Sequence, residues 1–221
     1  MIYRALFLSL VLIGIGLTIR PLSARSQNSA PTVRKKITQS RSPRNHAPTD
    51  TVGVVNGVVI AYGDFKSIMS GYLRTFVERS HNDLVTDSLY SVIVDSAWIR
   101  AVTDVLIEQE IHKRKLAMSD TAIKSALLDN PPDYLRAQFT DSLGVLRKDV
   151  LKRALADPAS DSIVEMIVGA EKIRLETDRL IQTVAAKAHT PAERIRLFDL
   201  WLRKAMATSR IVDRRTAFGY Y

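Results

Sequence analysis

The sequence predicts a mainly α-helical fold built on long helices, with a small β element made by the N- and C-terminal segments of the folded region. Three observations carry this. Apolar residues recur at three- and four-residue intervals over most of the chain beyond residue 64. Capping residues and prolines punctuate that periodicity. The one β-branched run, Val54-Val55-Asn56-Gly57-Val58-Val59-Ile60, is interrupted by an Asn-Gly pair.

Valines and an isoleucine flank Asn56-Gly57, so this unit reads as a tight hairpin or a strand kinked by a two-residue turn. From Phe65 the period changes: Phe65, Ile68, Met69, Tyr72, Leu73, Phe76 and Val77 fall on one stripe of a helix. His81-Asn82-Asp83 breaks the pattern. A second period runs from about Asp87 to Lys115, with Leu89, Val92, Ile93, Ser96, Ile99, Val102, Leu106, Glu110 and Lys113 along one direction. Val105, Ile107 and Ile111 widen that buried stripe. Ser119 or Asp120 caps a short helix with Ile123, Ala126 and Leu127 inward, and Asn130-Pro131-Pro132 stops it.

A further short piece carrying Tyr134, Leu135 and Phe139 leads to the turn Ser142-Leu143-Gly144. Leu146, Val150, Leu151 and Leu155 then mark a helix from Val145 to Leu155, closed by Asp157-Pro158. A long helix follows from about Asp161 to Lys187. Thr190-Pro191-Ala192-Glu193 joins an N-cap hydroxyl, a proline at the first helical position and a glutamate two residues on, the capping-box pattern. The helix it starts carries Ile195, Phe198, Trp201, Leu202 and Ala205. The last segment, Thr208 to Tyr221, is expected to return as a strand beside Val54 to Ile60.

With 221 residues, 46% of them hydrophobic, and a mean hydropathy of −0.02, the chain can bury one substantial core with tails. A polytopic membrane protein is excluded. The net charge of +9 is unevenly placed: residues 1 to 49 hold eight of the 32 basic residues and no acid, leaving 24 basic against 23 acidic beyond. A folded nucleic-acid groove would concentrate the excess on the domain itself, so no nucleic acid is expected as a partner. The absence of cysteine excludes disulfides, thiolate metal sites and a cysteine nucleophile.

Arg4 precedes an almost wholly apolar stretch, residues 5 to 19, which is short for a bilayer span and suits a signal-peptide core. Ala24-Arg25-Ser26 offers a cleavage pattern. Arg20, Arg25, Arg34, Lys35 and Lys36 lie just beyond, where positive charge favours retention on the cytoplasmic side, so an inner-membrane anchor through residues 5 to 19 stays open. Residues 27 to 50 hold hardly any large apolar side chain and read as a disordered basic linker. The domain plan is therefore a signal peptide or anchor over 1–26, the linker over 27–50 and a helical domain over 51–221.

The search for reactive groups returns little. His46, His81, His112 and His189 are scattered, and Glu108 with His112 at four-residue spacing reads as a solvated pair rather than a zinc site. Asp141, Asp157 and Asp161 beside Ser142 and Ser160 read as caps and turns. The run Glu171-Lys172-Ile173-Arg174-Leu175-Glu176 reads as a solvated helix face, and Arg194, Arg196, Arg203 and Lys204 are spread around a rod. No catalytic residue, metal or cofactor is expected.

Three stretches carry a family resemblance. Val55-Asn56-Gly57 with Ile60 and Asp64-Phe65 is the first; Leu106-Ile107-Glu108-Gln109-Glu110-Ile111 leading to Met118-Ser119-Asp120 is the second. Asn130-Pro131-Pro132, Phe139, Gly144 and Asp157-Pro158 form the third. In this order they resemble the N-terminal chaperone module of SurA-like and PpiD-like periplasmic foldases, itself related in fold to the peptide-binding region of trigger factor. The resemblance spans about residues 52 to 205. Ala117 stands where that family commonly has glycine, which implies a different turn there. Only 31 residues follow Thr190, too few for the parvulin-like isomerase domain of many members.

The resemblance implies a periplasmic, ATP-independent holdase for unfolded polypeptides or outer-membrane protein precursors, acting through apolar surface rather than a reactive group. Candidate contacts are Tyr72, Phe76, Trp98, Tyr134, Phe139 and Trp201, which helical spacing makes core residues first and contacts only where exposed. The alternatives are a helical scaffold with one defined partner, with a homodimer among its forms, and a non-canonical peptidyl-prolyl isomerase.

Overall fold

The computed structural model describes residues 46–80, 85–156 and 161–220. The leader over 1–26, most of the linker, and the breaks assigned to His81-Asn82-Asp83 and Asp157-Pro158 lie outside those residues. In chain order the elements are β1 (Thr51–Val55), β2 (Val58–Ala61), α1 (Tyr62–Ser80), α2 (Asp87–Lys113), α3 (Asp120–Asp129), α4 (Asp133–Phe139), α5 (Lys148–Ala156), α6 (Asp161–Val184), α7 (Pro191–Thr208) and β3 (Ile211–Asp213). A 3-10 turn, Arg215–Phe218, follows. The expected mainly helical fold with a terminal β element is what forms.

Asn56 and Gly57 adopt φ of 50° and 88°, the two left-handed positions that a type I′ hairpin requires. Strand β1 is central, antiparallel to β2 through Val55↔Val58 and Val54↔Val59, and antiparallel to β3 through Val55↔Ile211 and Val54↔Val212. The returning C-terminal strand therefore pairs with β1 and not with β2. Asn56 does more than turn the chain. Its Nδ2 donates to Gln109 Oε1 at 3.0 Å and Ser209 Oγ at 3.1 Å. Its Oδ1 accepts from the Arg210 amide at 2.9 Å. Gln109 in turn donates to the Val55 carbonyl at 3.1 Å, so the hairpin tip is tied to α2 and to the entry of β3.

Three apolar cores follow one another. The first gathers Val52, Val55, Ile60, Phe65, Met69, Ile93, Trp98 and Leu106 beneath the sheet, between α1 and α2. Gly53 is needed there: a Cβ at that position would lie 2.2 Å from the Trp98 ring. The indole thus lies against bare backbone, with the Phe65 ring edge-on at 6.4 Å and the Arg215 guanidinium 5.2 Å from its centre. Arg215 also pairs with Asp95 on α2 at 2.7 Å and with Asp213 at 2.8 Å. The second core joins α3, α4, α5 and the start of α6 through Ile123, Leu127, Leu135, Leu151, Leu155 and Val164. The third joins the end of α2 to α6 and α7 through Ile107, Ile111, Leu180 and Phe198.

Helix α2, 27 residues long, spans about 40 Å and serves the first and third cores. Thr86 caps its start, accepting from the Leu89 amide at 3.2 Å. Its end is a Schellman motif: the Lys115 amide donates to the His112 carbonyl at 3.1 Å and the Leu116 amide to the Ile111 carbonyl at 3.0 Å. Lys115 takes the left-handed φ of 56°, two positions before Ala117. Ser119 caps α3 through the Ala122 amide and Thr190 caps α7 through the Glu193 amide, as their sequences require. Among the described residues no helix is long and apolar enough to cross a membrane.

Two expectations are corrected. Val92 and Ile99 are 58% and 53% exposed, not part of the buried stripe of α2. The small Ala97 and Ala101 let neighbouring elements approach, so burial follows Ile93, Val94, Ala97 and Ala101 instead. Helix α5 begins at Lys148, not Val145, because Leu146 pairs with Thr140 and the Arg147 amide donates to the Phe139 carbonyl at 2.8 Å.

Gly53→Ala should lower the unfolding free energy by about 1–3 kcal/mol, since the added methyl forces the indole from its slot. Denaturant unfolding measures this, and an unchanged midpoint contradicts the slot. Lys115→Gly should raise stability by roughly 0.5 kcal/mol, relief of the left-handed cost exceeding the added entropy of the unfolded chain. The same measurement showing a loss contradicts the sign.

Candidate functional site

Short helix α4 is anchored by Leu135, 1% exposed in the second core. Pro132 stands at its N-cap with no side-chain hydrogen bond, and the chain leaves through Thr140 in extended conformation. Tyr134, the neighbour of the anchor, is therefore turned outward at 38% exposure, while Phe139 packs half-buried against the second core.

The connection from α4 to α5 is held by Asp141. Its Oδ1 accepts from the amides of Leu143 and Val145, both at 2.9 Å, and its carbonyl accepts from the Gly144 amide at 3.0 Å. The Asp141 amide donates to the Val145 carbonyl at 3.0 Å, and Gly144 supplies a φ of 80°. This backbone displays Leu143 at 85% and Val145 at 59% exposure. The α4–α5 connection thus offers Leu143 and Val145, and Tyr134 is exposed on the helix that precedes it.

Behind the corner lies α6. Its Glu171 is 1% exposed and takes hydrogen bonds from Arg174, which also donates to Asp178 at 3.0 Å. Glu176 is 9% exposed and accepts from the Met118 amide at 2.7 Å, tying the entry of α3 to α6. The run from Glu171 to Glu176 is accordingly a buried polar seam, not a solvated face. Desolvation raises the Tyr134 hydroxyl above the usual phenol range, Glu171 adds to the rise and Arg174 opposes it. The Asp178 carboxyl is likewise raised, by burial first and by Glu171, against the pull of Arg174. The connection therefore exposes aliphatic groups, with the neutral Tyr134 phenol on the helix beside it.

The other expected contact residues lie apart from it. Tyr72 packs half-buried on the first core, its hydroxyl raised by desolvation, with Arg100 lowering it and Asp104 raising it. Phe76 lies one turn further along α1, also half-buried. Trp98 is inside the first core at 8% exposure, where Gly53 makes room for it, and offers no outer face. Trp201 stacks on Phe198 at 5.3 Å beside the third core. The structure joins Tyr134 and Phe139 on α4 and separates them from Tyr72, Phe76 and Trp201. Leu143 and Val145 were not among the expected contacts. Their signal was a leucine between serine and glycine at a turn, where small polar residues are usual.

The family model described as the SurA-like N-terminal domain matches residues 9–155. That stretch contains β1, β2, α1 to α4 and all but the last residue of α5, including the Asn56-Gly57 turn and the α4–α5 corner. No curated protein and no solved structure matches the chain. Helices α6 and α7 and strand β3 lie beyond the matched stretch, yet they complete the cores and the sheet that it begins. With the match covering more than half of its length, the chain belongs to the family of SurA-like N-terminal domains.

Proposed function

We propose that the chain is an exported, ATP-independent holdase that shields unfolded polypeptides, outer-membrane protein precursors among them, in the periplasm. The observation that carries this reading is the α4–α5 corner, where a SurA-like domain holds Leu143, 85% exposed, on a backbone fixed by Asp141. Covering a fully exposed leucine returns about 2 kcal/mol. A few such contacts give binding that is weak for each client and tolerant of sequence, which suits release without ATP. Tyr134 on α4 adds a partly exposed ring. The leader pattern at Arg4 and residues 5 to 19 supports export, and the family supports the periplasm as destination.

Binding without turnover asks nothing of a reactive side chain. Each client segment exchanges water contacts for contacts with preformed apolar groups, and a fixed backbone lowers the ordering cost on the chaperone side.

Dilution of several unrelated denatured proteins into buffer, followed by light scattering, tests the proposal. The wild-type chain should suppress aggregation of most of them, and Leu143→Asp with Val145→Asp should weaken suppression several-fold. Unfolding free energy should stay within about 0.5 kcal/mol, since both side chains are exposed. Full suppression by the double variant removes the corner as the contact surface. Saturable binding to one partner, with no general suppression, favours the scaffold reading and overturns the holdase.

A further inference from the structure

The sheet has a second face that the cores do not use. Gly53, Val55 and Ile60 turn toward the first core, so the alternate positions of the ladder point the other way. There Val59, Val54 and Val212 lie in one cross-strand row, with Val59 54% exposed. Arg210 and Arg214 flank Val212 along β3, and these three with Val54 and Gly57 line a shallow depression of about 240 Å³.

The two arginines are held by the ladder and left without counter-ions. The Asn56 amide donates to the Arg210 carbonyl at 2.9 Å and the Arg214 amide to the Val52 carbonyl at 3.0 Å. Neighbouring Arg215 engages Asp95 and Asp213, whereas the Arg210 and Arg214 side chains, both exposed, pair with no carboxylate among the described residues. Four residues of strand separate their Cα atoms by about 13 Å.

We propose that this face docks an extended segment of a partner polypeptide bearing two carboxylates on either side of an aliphatic residue. The arginines pair with the carboxylates, and the valine row receives the aliphatic group. Charge selects the occupant. The chain's own N-terminal segment holds eight basic residues and no acid through residue 49, so it is repelled. A second copy placed face to face would set arginine pairs against each other. An anionic membrane gains only about 1 kcal/mol for each basic residue near its surface, and two such residues make a weak anchor for a recessed valine row. Arginine's planar fork can hold a carboxylate through two parallel hydrogen bonds. This inference does not rest on the holdase reading, and its readout is separate from aggregation suppression.

The test is fluorescence anisotropy of a labelled Glu-Gly-Val-Gly-Glu peptide with blocked ends, titrated with the full-length chain. Binding should saturate and weaken about tenfold when both glutamates are replaced by glutamine, or when Arg210→Ala and Arg214→Ala are combined. Arg210→Lys with Arg214→Lys, which keeps both charges and loses the planar fork, should bind less tightly than the wild type and more tightly than the double alanine variant. Equal affinity for the acidic and neutral peptides overturns the proposal, and that comparison needs only the wild-type protein. Absence of peptide binding together with binding to phosphatidylglycerol vesicles also overturns it, assigning the face to lipid headgroups instead.

Discussion

The Trp98 indole, seated on the bare backbone of Gly53 and covered by the Arg215 guanidinium, is the contact on which the rest of the structure depends. A three-residue strand such as β3 is too short to hold itself against a sheet. It is retained because the residues around it are pinned from both sides. Arg215 reaches Asp95 on α2 while lying over the indole, and Asn56 captures the Arg210 amide and the Ser209 hydroxyl at the other end. The indole contact requires the close approach that glycine permits. Through them the end of the described chain is fastened to its beginning, and the long helices between become arms of one body.

The arms are coupled by sharing helices between cores. Helix α2 contributes Trp98 to the first core and Ile111 to the third, and α6 contributes Val164 to the second and Leu180 to the third. Each core is small, so none would overcome chain entropy with much margin if isolated. The polar seam on α6 serves the same end by another means. Glu176 holds the Met118 amide, and the buried Glu171 is paired with Arg174. Removing one partner of such a seam leaves a charge without compensation, which makes the register of α6 against α3 strongly specified.

The helices were legible because their caps and periods are local. Thr190, Ser119, the Asn-Gly turn and the prolines at 131 and 132 act within a few residues of themselves, and each does in the structure what its chemistry requires. The return of β3 could be expected from the weak period near the C-terminus, though its exclusive pairing with β1 could not. What was not legible depends on neighbours remote in sequence. Val92 and Ile99 fit an apolar stripe as well as Ile93 and Ala97, and only the packing of small alanines decides between them. The burial of Trp98 is set by Gly53, forty-five positions earlier. Glu171 and Glu176 look like surface charges until Arg174 and Met118 are placed against them. Of the candidate site, the aromatic half on α4 was visible and the aliphatic half was not, because an exposed leucine departs from what turns ordinarily carry.

The distribution of charge then separates the two exposed surfaces by chemistry. Beyond residue 49 the chain holds 24 basic and 23 acidic residues, so the folded region generates little long-range field. Some of its arginines are paired locally, as Arg100 is with Asp104, Arg114 with Glu110 and Arg153 with Asp149. Arg210 and Arg214, exposed at the two ends of β3 and paired with no carboxylate among the described residues, form a local feature, felt within about 8–10 Å at ordinary salt. The α4–α5 corner, with a neutral phenol and aliphatic tips, has no such preference. Apolar contact there depends on the area covered and little on salt, whereas contact at the sheet face depends on carboxylate spacing and weakens as salt rises. The same ladder that buries one row of side chains to close the fold thus presents the opposite row, and the difference between the two faces arises from the strand's alternation.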